Sequence, residues 1–209
     1  MINRDSQQEQ GTAERIRDAA AALFRENGFN GTSMQALATA VGVTKSSLYH
    51  HYPSKQALLA AIIEVTMSRV TPLVREIAES DLSASLRLHR ALELHTVESI
   101  RERDHVACFR EESRYLSPDF MATHRQKRDE YEVLFRQMVE EGIDHGEFLA
   151  QDPALATMAL LGMCDSVIRR YRPAGRHTPD EIALAFADTA LRGLGTSAAA
   201  GVATGEAAR

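Results

Sequence analysis

The sequence predicts an all-α protein of about nine helices. Two observations carry this. Apolar residues recur at helical spacing along nearly the whole chain, and no stretch alternates as a strand does. The helical stretches are also punctuated correctly, with Ser, Thr or Asp before them and Gly or Pro after them.

The elements follow in order. The first helix is predicted from Ala13 to Glu26, with Thr12 as its cap and Ile16, Ala19, Ala20, Leu23 and Phe24 as its apolar stripe. Gly28, in "NGFNG", ends it. Ser33 caps a short second helix to Ala40 or Val41, and Gly42 makes the turn. Thr44 caps a third helix that ends near Tyr52, because Pro53 follows. Ser54 caps a long fourth helix to Ile77, kinked at Pro72. Further helices are expected at 84–103, 105–115 and 118–141, followed by a loop around Gly142 and Gly146. The last two begin after Asp152 and Thr178, each with Pro at its first position. Residues 1–11 and the Gly/Ala-rich 196–209 are expected to be disordered. No internal repeat is evident.

Composition narrows the function. The 209 residues carry a net charge of −5, which excludes a globally basic nucleic-acid binder but not a locally basic one. Cys108 and Cys164 stand far apart, with no C-x-x-C pattern, so a reducing compartment is expected. No apolar run suggests a membrane span, and "MINRDSQQEQ" lacks the apolar stretch of a signal peptide. A cytoplasmic protein without a membrane partner is the expectation. No zinc-protease, nucleophile-elbow or phosphate-loop pattern is present, and His89 and His95 are badly spaced for a shared metal, so neither an enzyme nor a metal site is expected.

Residues 33–51 have the dimensions of a helix-turn-helix. Helical geometry turns Leu48 toward Leu37 and Val41. Ser46, Ser47, Tyr49 and His50 then point outward, with Lys45 and Lys55 at the two ends. Hydroxyls, a phenol and an imidazole donate to phosphates and base edges without bringing negative charge. From Asn27 to Ile63 there is no Asp or Glu, although 29 acids in 209 residues would place about five in such a window. On geometry alone this face reads equally well as a DNA surface or as a solvated helix.

The stretch "GFNGTSMQALATAVGVTKSSLYHHYPSKQALLAAII" closely resembles the N-terminal signature of the TetR family of transcriptional repressors, through Phe29, Thr32, Ser33, Leu37, Ala38, Gly42, Val43, Leu48, Tyr49, His51, Tyr52, Ser54, Lys55 and Leu58. The resemblance implies a three-helix DNA-binding head at 12–56 and a ligand-sensing, dimerising body at 57–195. It implies a repressor that binds a palindromic double-stranded DNA operator as a homodimer and is released by a small-molecule effector. The family's DNA contacts fall on Thr44, Lys45, Ser46, Ser47, Tyr49 and His50, with flanking phosphate contacts at Ser33 and Lys55. His51 and Tyr52 are expected to pack, with the Tyr52 hydroxyl reaching solvent. Without an arginine on the third helix, the commonest guanine contact is missing.

Beyond residue 65 the signal weakens. "ESRYLSP", the long helix after it and "RRYRPAG" are similar to a TetR subgroup common in actinobacteria, some of whose members answer to acyl-CoA thioesters. That similarity implies a CoA thioester as effector and no other cofactor. Met67, Phe109, Arg110, Tyr115, Phe120, Tyr131 and Phe135 are candidates for its site, and Arg169, Arg170 and Arg172 for its phosphates. The bland alternatives are core packing for the aromatic residues and a solvated helix end for the arginines. For assembly, the apolar faces of the last two helices, Leu155, Met158, Leu160 and Leu161 with Ile182, Phe186, Thr189 and Leu194, are expected to pair with their copies as a four-helix bundle.

Overall fold

The first helix begins earlier than its cap pattern predicts. In the computed structural model, which describes residues 4–195 (side chains from Gly11 onward), α1 runs Arg4–Gly31. Thr12 lies inside it rather than capping it, and residues 4–11, expected to be frayed, are helical. Residues 1–3 and the tail 196–209 lie outside the described residues. The stop at Gly28 is real in a local sense. Gly28 adopts φ 73°, ψ 163°, a conformation open to glycine, and breaks the helix one turn before its end.

The helix-turn-helix follows the sequence closely. Ser33 Oγ accepts from the Ala36 amide and starts α2, Met34–Val41. Gly42, left-handed at φ 72°, ends it and gives its N–H to the Ala38 and Thr39 carbonyls. Thr44 Oγ1 accepts from the Ser47 amide and starts α3, Lys45–His51. Ser54 Oγ caps α4, Lys55–Ala78, which runs as one helix through Pro72. By length and composition alone α4 is apolar enough to cross a membrane, contrary to the sequence expectation. Its inner residues Leu58, Leu59, Ile62 and Ile63 nevertheless lie in the protein core.

The remaining helices are α5 (Ala84–Arg101), α6 (Arg103–Glu112), α7 (Pro118–Asp144), α8 (Pro153–Asp165), α9 (Val167–Arg170) and α10 (Pro179–Leu194). A 3₁₀ turn, Ser113–Tyr115, finishes what the sequence suggested as one helix over 105–115. The fold is all-α, with no strand among the described residues. Of the ten α-helical segments among the described residues, α9 is a four-residue turn absent from the sequence expectation.

The chain packs as two units. The first comprises, among the described residues, 4–68 and 102–126. Its core joins Ile16, Ala20 and Phe24 of α1 to Leu37, Leu48, Leu58, Leu59, Ile62 and Cys108, so α6 is built onto α1 beside the helix-turn-helix. Removing a fully buried ring such as Phe24 from such a core costs about 3–5 kcal/mol. The second unit comprises, among the described residues, 69–101 and 127–195. There α5 packs on α8, α9 and α10, around Leu88, Leu92, Cys164, Ala183 and Ala187. Glu147 accepts from the Ala84 and Ser85 amides and so caps α5 from a distant loop.

Candidate nucleic-acid interface and effector residues

The turn between α2 and α3 presents α3 by burying one side of it. Leu48 is fully buried against the core that includes Leu37 and Val41. Thr44, Lys45, Ser46, Tyr49 and His50 are exposed, and Ser47 is half-buried. Lys45 Nζ lies 5.9 Å from the Tyr49 ring centroid, a spacing at which the ring's face attracts the cation. The His50 and His51 rings meet edge-on at 5.7 Å. Ser33, also exposed, keeps a hydroxyl proton to donate after accepting from Ala36. This surface bears hydroxyls, rings and one cation, with no carboxylate on α2 or α3.

Lys55, at the edge of this surface, is half-buried. Its Nζ donates to the Phe29 carbonyl at 2.6 Å and the Thr32 carbonyl at 2.9 Å, and lies 4.4 Å from the Phe29 ring centroid. Two of its three protons are thus spent on the end of α1. The Tyr52 hydroxyl, expected to reach solvent, donates to the Ala13 carbonyl at 3.1 Å from a half-buried side chain. Burial pushes the Tyr52 phenol above its ordinary pKa, against the opposing charge of Arg17.

The suggested effector residues divide between the units. Met67, Phe109, Arg110, Tyr115 and Phe120 belong to the first, and Tyr131, Phe135, Arg169, Arg170 and Arg172 to the second. Phe109 and Phe120 are half-buried, and their rings lie 4.6 and 6.1 Å from that of His124. Met67 is half-buried and Arg110 exposed. Tyr115 is spent on packing: its ring stacks on Phe29 at 4.6 Å and its hydroxyl accepts from Asn30 Nδ2 at 2.7 Å.

In the second unit Tyr131 and Phe135 are core residues, 4% and 0% exposed. The Tyr131 hydroxyl meets His95 Nδ1 at 3.0 Å, and His95 Nε2 meets Asp165 Oδ1 at 3.2 Å. Burial, with the Asp165 charge adding to it, drives the Tyr131 phenol well above its usual range. The phenol therefore keeps its proton, and Tyr131, His95 and Asp165 form one polar chain through both nitrogens of the imidazole. This chain of three was missed in the sequence, where His95 was weighed only as a metal ligand. Arg169, Arg170 and Arg172 are all exposed. Cys108 and Cys164 are buried free thiols, pushed up by burial to about 12 and about 11, which leaves them protonated and unreactive.

The apolar face left uncovered in this unit is narrower than the sequence suggests. Leu155 and Met158 on α8 are 60% and 62% exposed, and Leu184 on α10 is 49% exposed. Leu160 and Leu194, expected on that face, are instead 8% and 3% exposed and pack inside the unit.

Known proteins give this geometry its context. Residues 16–62 match the family model described as bacterial regulatory proteins, tetR family, and residues 81–194 match the one described as tetracyclin repressor-like, C-terminal domain. The chain is 30% identical over 193 residues to the HTH-type transcriptional repressor KstR2 of Rhodococcus jostii strain RHA1, covering 91% of this chain and 94% of that one. Among solved structures it superposes on the TetR family transcriptional regulator PfmR from Thermus thermophilus with a TM-score of 0.79 and 33% identity, over 86% of this chain and 98% of that one. It also superposes on AibR in complex with isovaleryl coenzyme A and operator DNA, with a TM-score of 0.73 and 25% identity, over 85% and 97% of the two chains. These relatives are transcription regulators and not enzymes. With an exposed, acid-free recognition helix and matches at both ends, the chain belongs to the TetR family of helix-turn-helix, DNA-binding transcription regulators.

Proposed function

We propose that this regulator is a homodimeric repressor, released from a palindromic operator by an acyl-CoA thioester. The DNA contacts fall to Ser33, Thr44, Lys45, Ser46, Ser47, Tyr49 and His50. The observation that carries this is the α3 surface, where the exposed side chains donate hydrogen bonds or carry positive charge and none repels phosphate. Residues 12–56 serve as the DNA-reading head, residues 57–195 sense and dimerise, and the protein acts in the cytoplasm.

Dimerisation rests on Leu155, Met158 and Leu184, an exposed apolar strip on two helices that pack together. A symmetric pairing of that strip buries it and sets two recognition helices on two half-sites. The effector reading is supported by the likeness to AibR, solved with isovaleryl coenzyme A and operator DNA. The exposed Arg169, Arg170 and Arg172 offer cations of the kind that CoA phosphates require. Ligand changes operator affinity only to the extent that it binds one state of the dimer more tightly than another.

The test is calorimetry with a panel of acyl-CoA esters and their free acids, paired with a gel shift on the DNA upstream of the gene. A thioester that binds and releases the DNA, with its free acid far weaker, is expected. Equal responses to ester and acid would leave a regulator of apolar effectors, with no part for the arginines.

A further inference from the structure

Two long-range hydrogen bonds tie one turn of α1 to the helix-turn-helix. The Ala13 carbonyl accepts from the Tyr52 hydroxyl at the end of α3, and Arg15 Nη2 donates to the Val41 carbonyl, at the end of α2, at 2.9 Å. The second bond supplies what α2 cannot supply for itself. The last carbonyls of a helix have no partner within it. Those of Ala38 and Thr39 take the amides of Gly42 and Val43 as the chain turns back. The Val41 carbonyl takes Arg15 instead, and the guanidinium adds the positive charge that the last turn of α2 lacks.

That bond occupies one N–H of a guanidinium that has five. Arg15 is exposed, and among the described residues it forms no ion pair. The two acids near it on α1 are not its partners: Glu14 is exposed, and Asp18 lies against Arg17 and His105. Thr44, the cap of α3, is three residues beyond Val41, which keeps their Cα atoms within about 11 Å of each other. The guanidinium is thus held beside the start of the recognition helix, at the end of a helix that carries no carboxylate. An arginine fixed in place by one bond has already lost much of the side-chain freedom that binding would otherwise take from it.

We propose that Arg15 is a further DNA-contacting residue, which holds the Val41 carbonyl with one N–H and takes a backbone phosphate, beside the α3 contacts, with the others. The proposal rests on α3 being the helix that meets DNA. A planar guanidinium meets two phosphate oxygens at once, so the contact fixes orientation as well as adding charge. It carries no sequence preference of its own, and it ties α1 and the end of α2 to the strand that α3 contacts.

The test uses the full chain and a duplex that the wild-type protein selects from a random library. Arg15→Gln keeps a donor for the Val41 carbonyl and loses the charge. It is expected to bind the duplex about 10-fold more weakly at low salt, a loss of the size of one charged hydrogen bond, and to reduce the salt slope by about 1. Arg15→Lys keeps the charge and should keep the wild-type slope. Neither change should alter which duplexes are selected. In the wild-type protein, bound duplex should also shield Arg15 from phenylglyoxal, read by mass spectrometry, and this needs no variant to fold. A wild-type slope in folded Arg15→Gln, or an Arg15 equally reactive with and without duplex, would overturn the proposal. If Lys45→Ala left the slope unchanged as well, the reading of α3 would fall with it.

Discussion

The Tyr52 hydroxyl and the Ala13 carbonyl, 39 residues apart, are joined by a 3.1 Å hydrogen bond that ties the end of α3 to α1. Tyr52 packs against the core of the first unit, whereas Tyr49 and His50 are exposed. Tyr52→Phe is therefore expected to lower stability by about 0.5–1.5 kcal/mol while leaving duplex affinity of the folded protein unchanged. Thermal melting paired with a binding titration checks this. A loss of affinity without a loss of stability would make Tyr52 a DNA contact.

Lys45 and Lys55 separate a phosphate contact from an internal one. Lys45→Ala should weaken binding to all duplexes and reduce the salt slope by about 1. A charge-removing change at Lys55 should leave that slope alone and lower the melting temperature, since its ammonium holds two carbonyls of the α1 end. Substituting Ser46 or Ser47 should instead change which duplexes are selected. The slope from titrations between low and moderate salt isolates Lys45, thermal melting reads Lys55, and duplex selection from a random library reads Ser46 and Ser47.

What the sequence revealed follows from how local each signal was. The caps Ser33, Thr44, Asp152 and Thr178 stand where their side chains accept from amides two or three residues on, and such bonds are written in a few adjacent letters. Leu48 was legible because helical spacing alone turns it from Tyr49 and His50. The two carbonyls that Lys55 holds were not legible, because Phe29 and Thr32 lie more than twenty residues away. Arg15 and the His95–Tyr131–Asp165 chain were invisible for the same reason, each depending on a residue 26 or more positions away. At α1 the error was one of precedence: Thr12 is a good cap by type, but the residues before it continue the helix.

Leu155 and Met158 provide the direct test of assembly. Their exposure marks the strip where a second copy is expected, whereas Leu160 supports the unit from inside. Met158→Lys combined with Leu155→Asp should give a monomer by sedimentation at micromolar concentration, with helicity retained and operator binding lost. Leu160→Ala should instead cost about 2–5 kcal/mol of stability, the usual result of a core cavity. A wild-type protein that sediments as a monomer would remove the dimer from the proposal.

Glu147 gives stability a dependence on acid whose sign can be worked out. Burial raises its pKa, but the Ser85 side chain and the Ser85 and Ala84 amides together outweigh that, and the net pKa lies below the ordinary carboxylate value. The folded state therefore favours the charged form. Its contribution is present in full above the unfolded carboxylate pKa and is lost as the pH falls through the lowered folded value. At neutral pH, Glu147→Ala should cost about 1 kcal/mol, the usual worth of a helix cap, because α5 then starts with two uncapped amides. Between wild type and Glu147→Ala the stability gap should close as the pH drops below the ordinary carboxylate range. Urea unfolding of both proteins at several pH values measures it. A gap that held constant into that acid range would show that the two amides, and not the ionised carboxylate, set the contribution.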